Sequence, residues 1–550
     1  MAFFRCRNRV GGGAVSKRCD SSSELAGVVF RDLDAERAGP EAALSDLVLM
    51  RLGMAHALLL FLFSAGLRAQ STDLNEKAER ARELVLAGKP EQAIPVYREL
   101  ARALPDNPEM LMNLCIAEFK ARHYRDAVGT AQAALKLAPG LLTANLFLGA
   151  SYAELGENAQ AVAPLESVIA AQSNDKNARL MLAGALLALN RFDDAVMHFE
   201  KAADLAPGNP KVWYGLGQSY DQLSEQASRK LEQATPESAY AIALAADAAV
   251  GERRYGTAFR YYRQALSIQA SAKEAEMRGI HEGLAAVYNQ TGHQAWAAHE
   301  GNLERKVPAP DCTKRIVECE FLAGRDGAVV QATRSKQDAE AYYWAAKAYR
   351  RLARQAYEHL QRLPPSLESH LYAARDYDTQ GLYREAGNEW RAALTLSPDD
   401  AHVQTSLVWS LYRARDYEAA LALLQDFKKK GTEFRELSFL YGAALLNLEK
   451  PESAIPYLEA AVRNGAQFLP AESALGQAFL RAGRAADAIP HLKTALGSDE
   501  DGSIHFELLR AYQVTGQTEP AKKALAEYQA FRKSAEENKQ IEQGSHITAP

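Results

Sequence analysis

From Leu74 to the low 530s the apolar positions recur at helical spacing, and no run of β-branched residues alternates as a strand would. Trp213, Leu216 and Tyr220 stand at i, i+3 and i+7 and make one apolar helical stripe. The same stripe returns as Leu148-Gly149-x-x-Tyr152, Leu182-Ala183-x-x-Leu186, Leu284-Ala285-x-x-Tyr288 and Leu475-Gly476-x-x-Phe479. A second pattern runs in step with it. Ala93, Ala127, Ala161 and Ala195 lie 34 residues apart, as do Ala386, Ala420, Ala454 and Ala488, with Ala521 following after 33. A small residue at that place lets two helices cross closely. Pro105, Pro139 and Pro207 end the second helix of a pair, with Ser173 standing in once, and Gly156 and Asn190 suit the left-handed turn between helices. Four regular helix pairs are therefore predicted from Leu74 to Asn209.

Trp213 to Tyr220 reads W-x-x-L-G-x-x-Y, with Gly217 where a neighbouring helix passes too close for a side chain. This resembles the first-helix signature of the tetratricopeptide repeat, whose unit is two antiparallel helices in 34 residues. The resemblance implies an all-α fold, a right-handed α-solenoid of about fourteen stacked units. It also implies function as a non-catalytic scaffold for protein–protein interaction.

The rhythm breaks after Trp213. Arg229 stands where a small residue belongs, while Leu216, Tyr220, Leu223, Ala227 and Leu231 keep helical spacing, so one helix should continue to about Gln233. Thr235-Pro236 then suits a new helix start, with Thr as cap. Leu223, Ala227, Leu231 and Pro236 return 129 residues on as Leu352, Ala356, Leu360 and Pro365. Two long-helix modules are thus expected, each able to change the curvature of the stack, with one degenerate unit between them. The organisation read this way is a leader over 1–49, a signal peptide over 50–69 and an N-terminal array with the first long module over 70–272. An irregular joint follows over 273–338, then the second long module and C-terminal array over 339–534, and a disordered polar tail over 535–550.

The leader carries Arg, Gly and Ser without periodicity, and Met50-Arg51 opens a different pattern. The apolar run Ala57 to Phe63 is followed by Ser64-Ala65-Gly66-Leu67-Arg68-Ala69, the order of a cleavable secretory signal. At roughly 20 Å as helix, Ala55 to Leu67 falls short of a hydrocarbon core of about 30 Å. An exported protein, periplasmic or extracellular and of bacterial type, is expected, with no membrane span in the mature chain and translation starting at Met50. A net charge of −5 over 550 residues suggests neither nucleic acid nor an anionic membrane as the main partner.

Signatures of chemistry are missing. His281-Glu282 has Ala285 where a zinc-protease helix needs its second His, and Gly215-x-Gly217 lacks the third glycine of a dinucleotide loop. No cofactor, no metal site and no catalysis are expected. Cys115 takes the small-residue position equivalent to Gly217 and reads as packing. Cys312 and Cys319, seven apart beside Pro308-Ala309-Pro310, suggest a disulfide in an exported protein.

In the family that the chain resembles, fixed positions of each first helix face a groove. Carried over, these are Met112, Ile116, Phe119, Leu146, Leu180 and Leu187 near the start, and Tyr343, Lys347, Arg350 and Arg375 in the middle. Near the end they are Trp409, Tyr412, Arg413, Phe439 and Arg481. The Lys/Asn pattern by which some relatives clamp a terminal carboxylate is not reproduced. A protein or peptide partner in the groove is the first reading. The alternative is a structural subunit of a cell-envelope assembly or export complex.

Overall fold

The computed structural model describes residues 73–272, 277–431, 435–463, 468–542 and 547–550. The expected leader and signal peptide, 1–69, lie outside them. By packing, the chain falls into a short unit, Met1–Glu79, and a large one, Arg80–Pro550. Among the described residues the secondary structure is helical throughout, with no strand. None of these helices is long and apolar enough to cross a membrane.

In the large unit the regular pairs follow from size complementarity at the helix crossing. Gly149 faces Leu165, Gly442 faces Leu458 and Gly476 faces Leu492; a Cβ on any of the three glycines would sit 2.5–2.6 Å from the leucine Cγ. Ala93, Ala127, Ala161 and Ala195 are fully buried, as the 34-residue rhythm predicts. First helices start on side-chain caps spaced by the same period. Asn107, Asp175 and Asn209 accept from backbone N–H groups of the first turn, so those orphan donors are satisfied. The turns inside the pairs need positive φ. Gly88, Arg122, Gly156 and Asn190 take it at 34-residue steps, with φ between 59° and 73°.

The unit that opens at Pro210 is completed differently. Its first helix runs on from Pro210 to Ala234, as the unbroken stripe predicts, and its partner is the second long helix, Ala339–Arg362. Gly217 shows the substitution directly. A Cβ there would lie 2.4 Å from the Tyr357 ring, so Tyr357 takes the place that Leu165 holds against Gly149. Trp213 stacks on His359 at 3.8 Å, Tyr357 OH donates to Asp221 at 2.7 Å and Ser224 Oγ donates to the Ala346 carbonyl at 2.9 Å. As one helix ascends in number the other descends, so the two are antiparallel. The two long modules are therefore partners and not two separate bends.

Everything between them is a helical branch. It contains the pairs Ala239–Gly251 with Tyr255–Ala272, Ile280–Gln290 with Gln294–Lys306, and the short Ile316–Leu322 with Asp326–Thr333. Its first helix is capped by Ser238, which accepts from Ala241 N; Thr235 instead ends the long helix, correcting the start expected there. The branch shares one apolar cluster with the far ends of the long helices, from Ala227 and Leu231 to Tyr343 and Trp344. After the spine formed by these two paired long helices, the regular array resumes at Leu367–Thr379, which packs on both of them. The last helix, Thr518–Glu542, extends past 535, where a disordered tail was expected, and Ile547 beyond it is buried.

Candidate functional site

Alternate helices of the C-terminal array build one open surface. The helix Ala401–Arg413 is set by its buried face, where Val403, Leu407, Val408 and Leu411 are in the core. Helical geometry then turns Trp409 and Tyr412 to the adjoining face, where both are half-buried. Trp409 meets Tyr412 edge-on at 6.1 Å and Phe439 at 5.8 Å. The exposed Arg413 guanidinium lies 5.6 Å from the Trp409 ring and 5.6 Å from Tyr383. Phe439 continues the aromatic row to Phe468 at 5.1 Å. Beside the row opens a groove of about 440 Å³, lined by Tyr412, Phe439, Asn447, Ser473, Gln477 and Glu500 among others. Successive first helices contribute its wall. Burial pushes the Tyr412 phenol above its ordinary range, with Tyr417 adding to the rise, so the ring is a neutral hydroxyl at physiological pH.

The predicted lining residues separate into three groups. Trp409, Tyr412 and Arg413 come together as expected, and Arg481 is exposed with its guanidinium donating to the Leu446 carbonyl at 3.2 Å. Phe439 touches the groove but is 5% exposed and belongs mainly to the core. The middle set divides. Tyr343 is 1% exposed, packed among Tyr240 and Trp344, and Lys347 forms an ion pair with Asp247 at 3.0 Å inside the branch. Neither residue is open to a partner. The reason is the pairing of the long helices, which turns this stretch of the second one inward. Arg350 remains exposed and lines a cleft of about 630 Å³ with Asp221, Glu225, Glu232 and Glu237. Arg375 reaches Tyr214 OH at 3.5 Å.

At the N-terminal end Met112 is buried, while Ile116, Phe119, Leu146, Leu180 and Leu187 are partly covered by neighbouring helices. Phe119 packs edge-on against Phe147 at 5.3 Å. The leucine and isoleucine positions here are shared between groove and helix stacking. One surface had no forecast: a cleft of about 800 Å³ where Met197, Trp213, Leu352, His359 and Arg362 meet. Trp213 belongs to the apolar stripe of its own helix, and its stack on His359 arises only from the pairing with a helix 146 residues away.

Cys312 and Cys319 are joined, with 5.7 Å between their Cα atoms. Cys115 is fully buried and donates to the Ala127 carbonyl at 3.4 Å; burial pushes its thiol up to about 12, which keeps it protonated and inert. Among the described residues no group of His, Cys, Asp and Glu converges to hold a metal ion.

Two family models described as tetratricopeptide repeat match the chain. One covers 330–501, and the other matches four times, over 79–141, 116–176, 148–210 and 180–228. Together they span more than half of it, and the chain belongs to the tetratricopeptide-repeat family. The stretch between the two matched regions, 229–329, contains most of the branch. No curated protein matches. Among solved structures, the chain is similar to MamA from Desulfovibrio magneticus RS-1, at 27% identity over 26% of this chain and 82% of that one, with a TM-score of 0.26. A tetratricopeptide repeat protein from Parabacteroides merdae aligns at 13% identity over 62% of this chain and 98% of that one, with a TM-score of 0.31. Likeness at this level carries no functional argument.

Proposed function

We propose that the chain is an exported, non-catalytic scaffold that holds a segment of another protein in the groove of its C-terminal array. The observation that carries the reading is the half-exposed aromatic pair Trp409–Tyr412 beside Arg413. The core face of that helix is already filled by Val403, Leu407, Val408 and Leu411, and the two rings pack only along the edge of that core, leaving part of each open to a partner. Aromatic residues with an adjacent arginine are the composition enriched at binding hot spots. Half-burial also fixes the rings in place, which lowers the entropy a partner must overcome on docking. The groove accommodates an apolar side chain against Tyr412, and Arg413 offers a carboxylate of the same segment a charged contact. Export is supported by the signal-like order of residues 50–69 and by the Cys312–Cys319 bridge, since such bonds persist in oxidising compartments.

Crosslinking in the native cell followed by mass spectrometry identifies the partner, and Trp409→Ala then tests the site. Binding should weaken by roughly 2 kcal/mol or more with melting largely unchanged. A loss of stability of about 3–5 kcal/mol with binding intact would mark Trp409 as a core residue instead and overturn the groove reading.

A further inference from the structure

The closing helix Thr518–Glu542 packs against Tyr255–Ala272 of the branch, so the far end of the array returns to the insertion that left the spine some 300 residues earlier. Beyond that helix, Ile547 is buried to 8% exposure within the branch's own apolar cluster. The next residue is fixed by polarity: Tyr288 OH donates to the Thr548 carbonyl at 2.7 Å. Tyr288 is in turn held by its neighbours. Phe259 lies 5.9 Å away and Trp296 5.5 Å away edge-on, and Trp296 is stacked flat on His293 at 4.3 Å. An aliphatic side chain sunk in an apolar cluster, followed by a main-chain carbonyl on a fixed hydroxyl, is how an extended peptide is recognised. Side-chain burial supplies affinity and the backbone bond sets register. Sequence periodicity could not reveal it, because residues 547–550 belong to no repeat.

We propose that the surface around Tyr288 is a peptide-binding site for a short extended segment of aliphatic–X type, filled in cis by Ile547–Pro550. The segment then acts as a displaceable clasp between array and branch. This site is independent of the groove at Trp409, and either reading can fail without the other.

The test uses the full chain carrying Ile547→Asp, a change confined to the clasp. A fluorescein-labelled peptide, Gln-Gly-Ser-His-Ile-Thr-Ala-Pro, is the probe. It should bind the variant at least roughly tenfold more tightly than the wild type, whose site is already filled, because a competing intramolecular ligand holds a high effective concentration. Amides of the pair 280–306 should exchange faster in the variant, since the clasp packs on Tyr288 in its first helix. Adding Tyr288→Phe to Ile547→Asp should weaken peptide binding by about two- to tenfold, the range expected for one neutral hydrogen bond. Equal exchange together with equal peptide binding in wild type and variant would overturn the site. A wild-type dimer that becomes monomeric on Ile547→Asp would place the segment in a neighbouring copy and overturn the cis arrangement.

Discussion

The C-terminal array, 367–514, and the branch, 239–333, are made of the same kind of helix pair but are held together by different physics. In the array the crossing point is filled by one rule. Trp390, Leu424, Leu458 and Leu492, spaced by 34, are all within 2% of full burial, and Leu458 and Leu492 face Gly442 and Gly476 on the first helices. Two of its repeated ionic contacts stay near the surface: His370 pairs with Glu389 at 2.7 Å and Glu472 with His491 at 2.6 Å, all partly exposed, while Asp499, paired with His505 at the end of the array, is the buried exception. In the branch the equivalent pair, His281 with Glu300, is almost fully buried. Arg351 grips Asp326 at 2.7 Å, Lys347 meets Asp247 at 3.0 Å, and Arg315 meets Glu318 at 2.7 Å. Apolar packing tolerates sliding, whereas a buried ion pair works in one register. An array of identical units can afford to be indifferent, because every neighbour looks alike. Short, irregular helices cannot, and the branch uses charge to specify which surface meets which.

The strongest way to break this contrast is to remove one partner of a buried pair. Arg351→Met should leave the Asp326 carboxylate, 3% exposed, without its counter-ion and cost about 3–5 kcal/mol in the branch. Arg351 also covers the Phe321 ring at 3.9 Å and donates to the Phe321 carbonyl at 2.7 Å, so the short helices should loosen together. Hydrogen exchange reads both regions at once: rapid exchange over 316–333 with 469–495 unchanged is expected. Uniform loss across the chain would mean that branch and array unfold as one block.

A smaller effect concerns pH. Burial pushes the Glu318 carboxyl above its ordinary range, against the pull of Arg315, and the nearby Glu340 adds to the rise. A raised carboxyl binds its proton more tightly folded than unfolded. Its contribution is fully favourable below the ordinary carboxylate value and fades as pH climbs through the raised one. Stability of the branch should therefore decline across that window, and Glu318→Gln should flatten the slope. Melting curves of the two proteins from mildly acidic to neutral pH decide it; parallel pH profiles would remove Glu318 as the cause.

The smallest change sharpens the array side. Arg122 adopts φ 64° at the turn where Gly88 and Gly156 stand in neighbouring units. Left-handed backbone costs an ordinary residue roughly 1 kcal/mol, so Arg122→Gly should raise stability by about that amount, less the flexibility it adds to the unfolded chain. A lower melting point would show that the Arg122 side chain does more than fill the turn.

These contrasts also explain what could be read in advance. The array was legible because a 34-residue period puts an alanine at the same second-helix place in unit after unit, Ala386, Ala420, Ala454 and Ala488, and one unit teaches the next. The extent of Pro210–Ala234 was legible too, from its unbroken stripe. Its partner was not. Gly217 announces a close approach, yet nothing local says whether Leu or Tyr will approach, or from how far along the chain. The similarity of the two long modules was visible, but similarity does not say that two copies touch. Tyr343 and Lys347 were misplaced for that reason: family positions presume that the next helix in sequence is the next in space. Trp409, Tyr412 and Arg413 do lie side by side on a part-exposed face, because their helix sits where the period still holds.

The pairing of the two long helices has a consequence for how the chain is made. On a ribosome adding roughly 5–20 residues per second, the helix from Pro210 emerges several seconds or more before Ala339–Arg362 exists to cover it. Through that interval the side of Leu216, Tyr220, Leu223 and Leu231 that the second long helix covers lacks its partner, while the array upstream can already stack against the other side, as Glu200 does on Tyr220. An apolar stripe about 25 residues long stands open on a growing chain. Whatever escorts the nascent protein must shield that stripe, and an early stop or a stall within the branch would leave it permanently exposed.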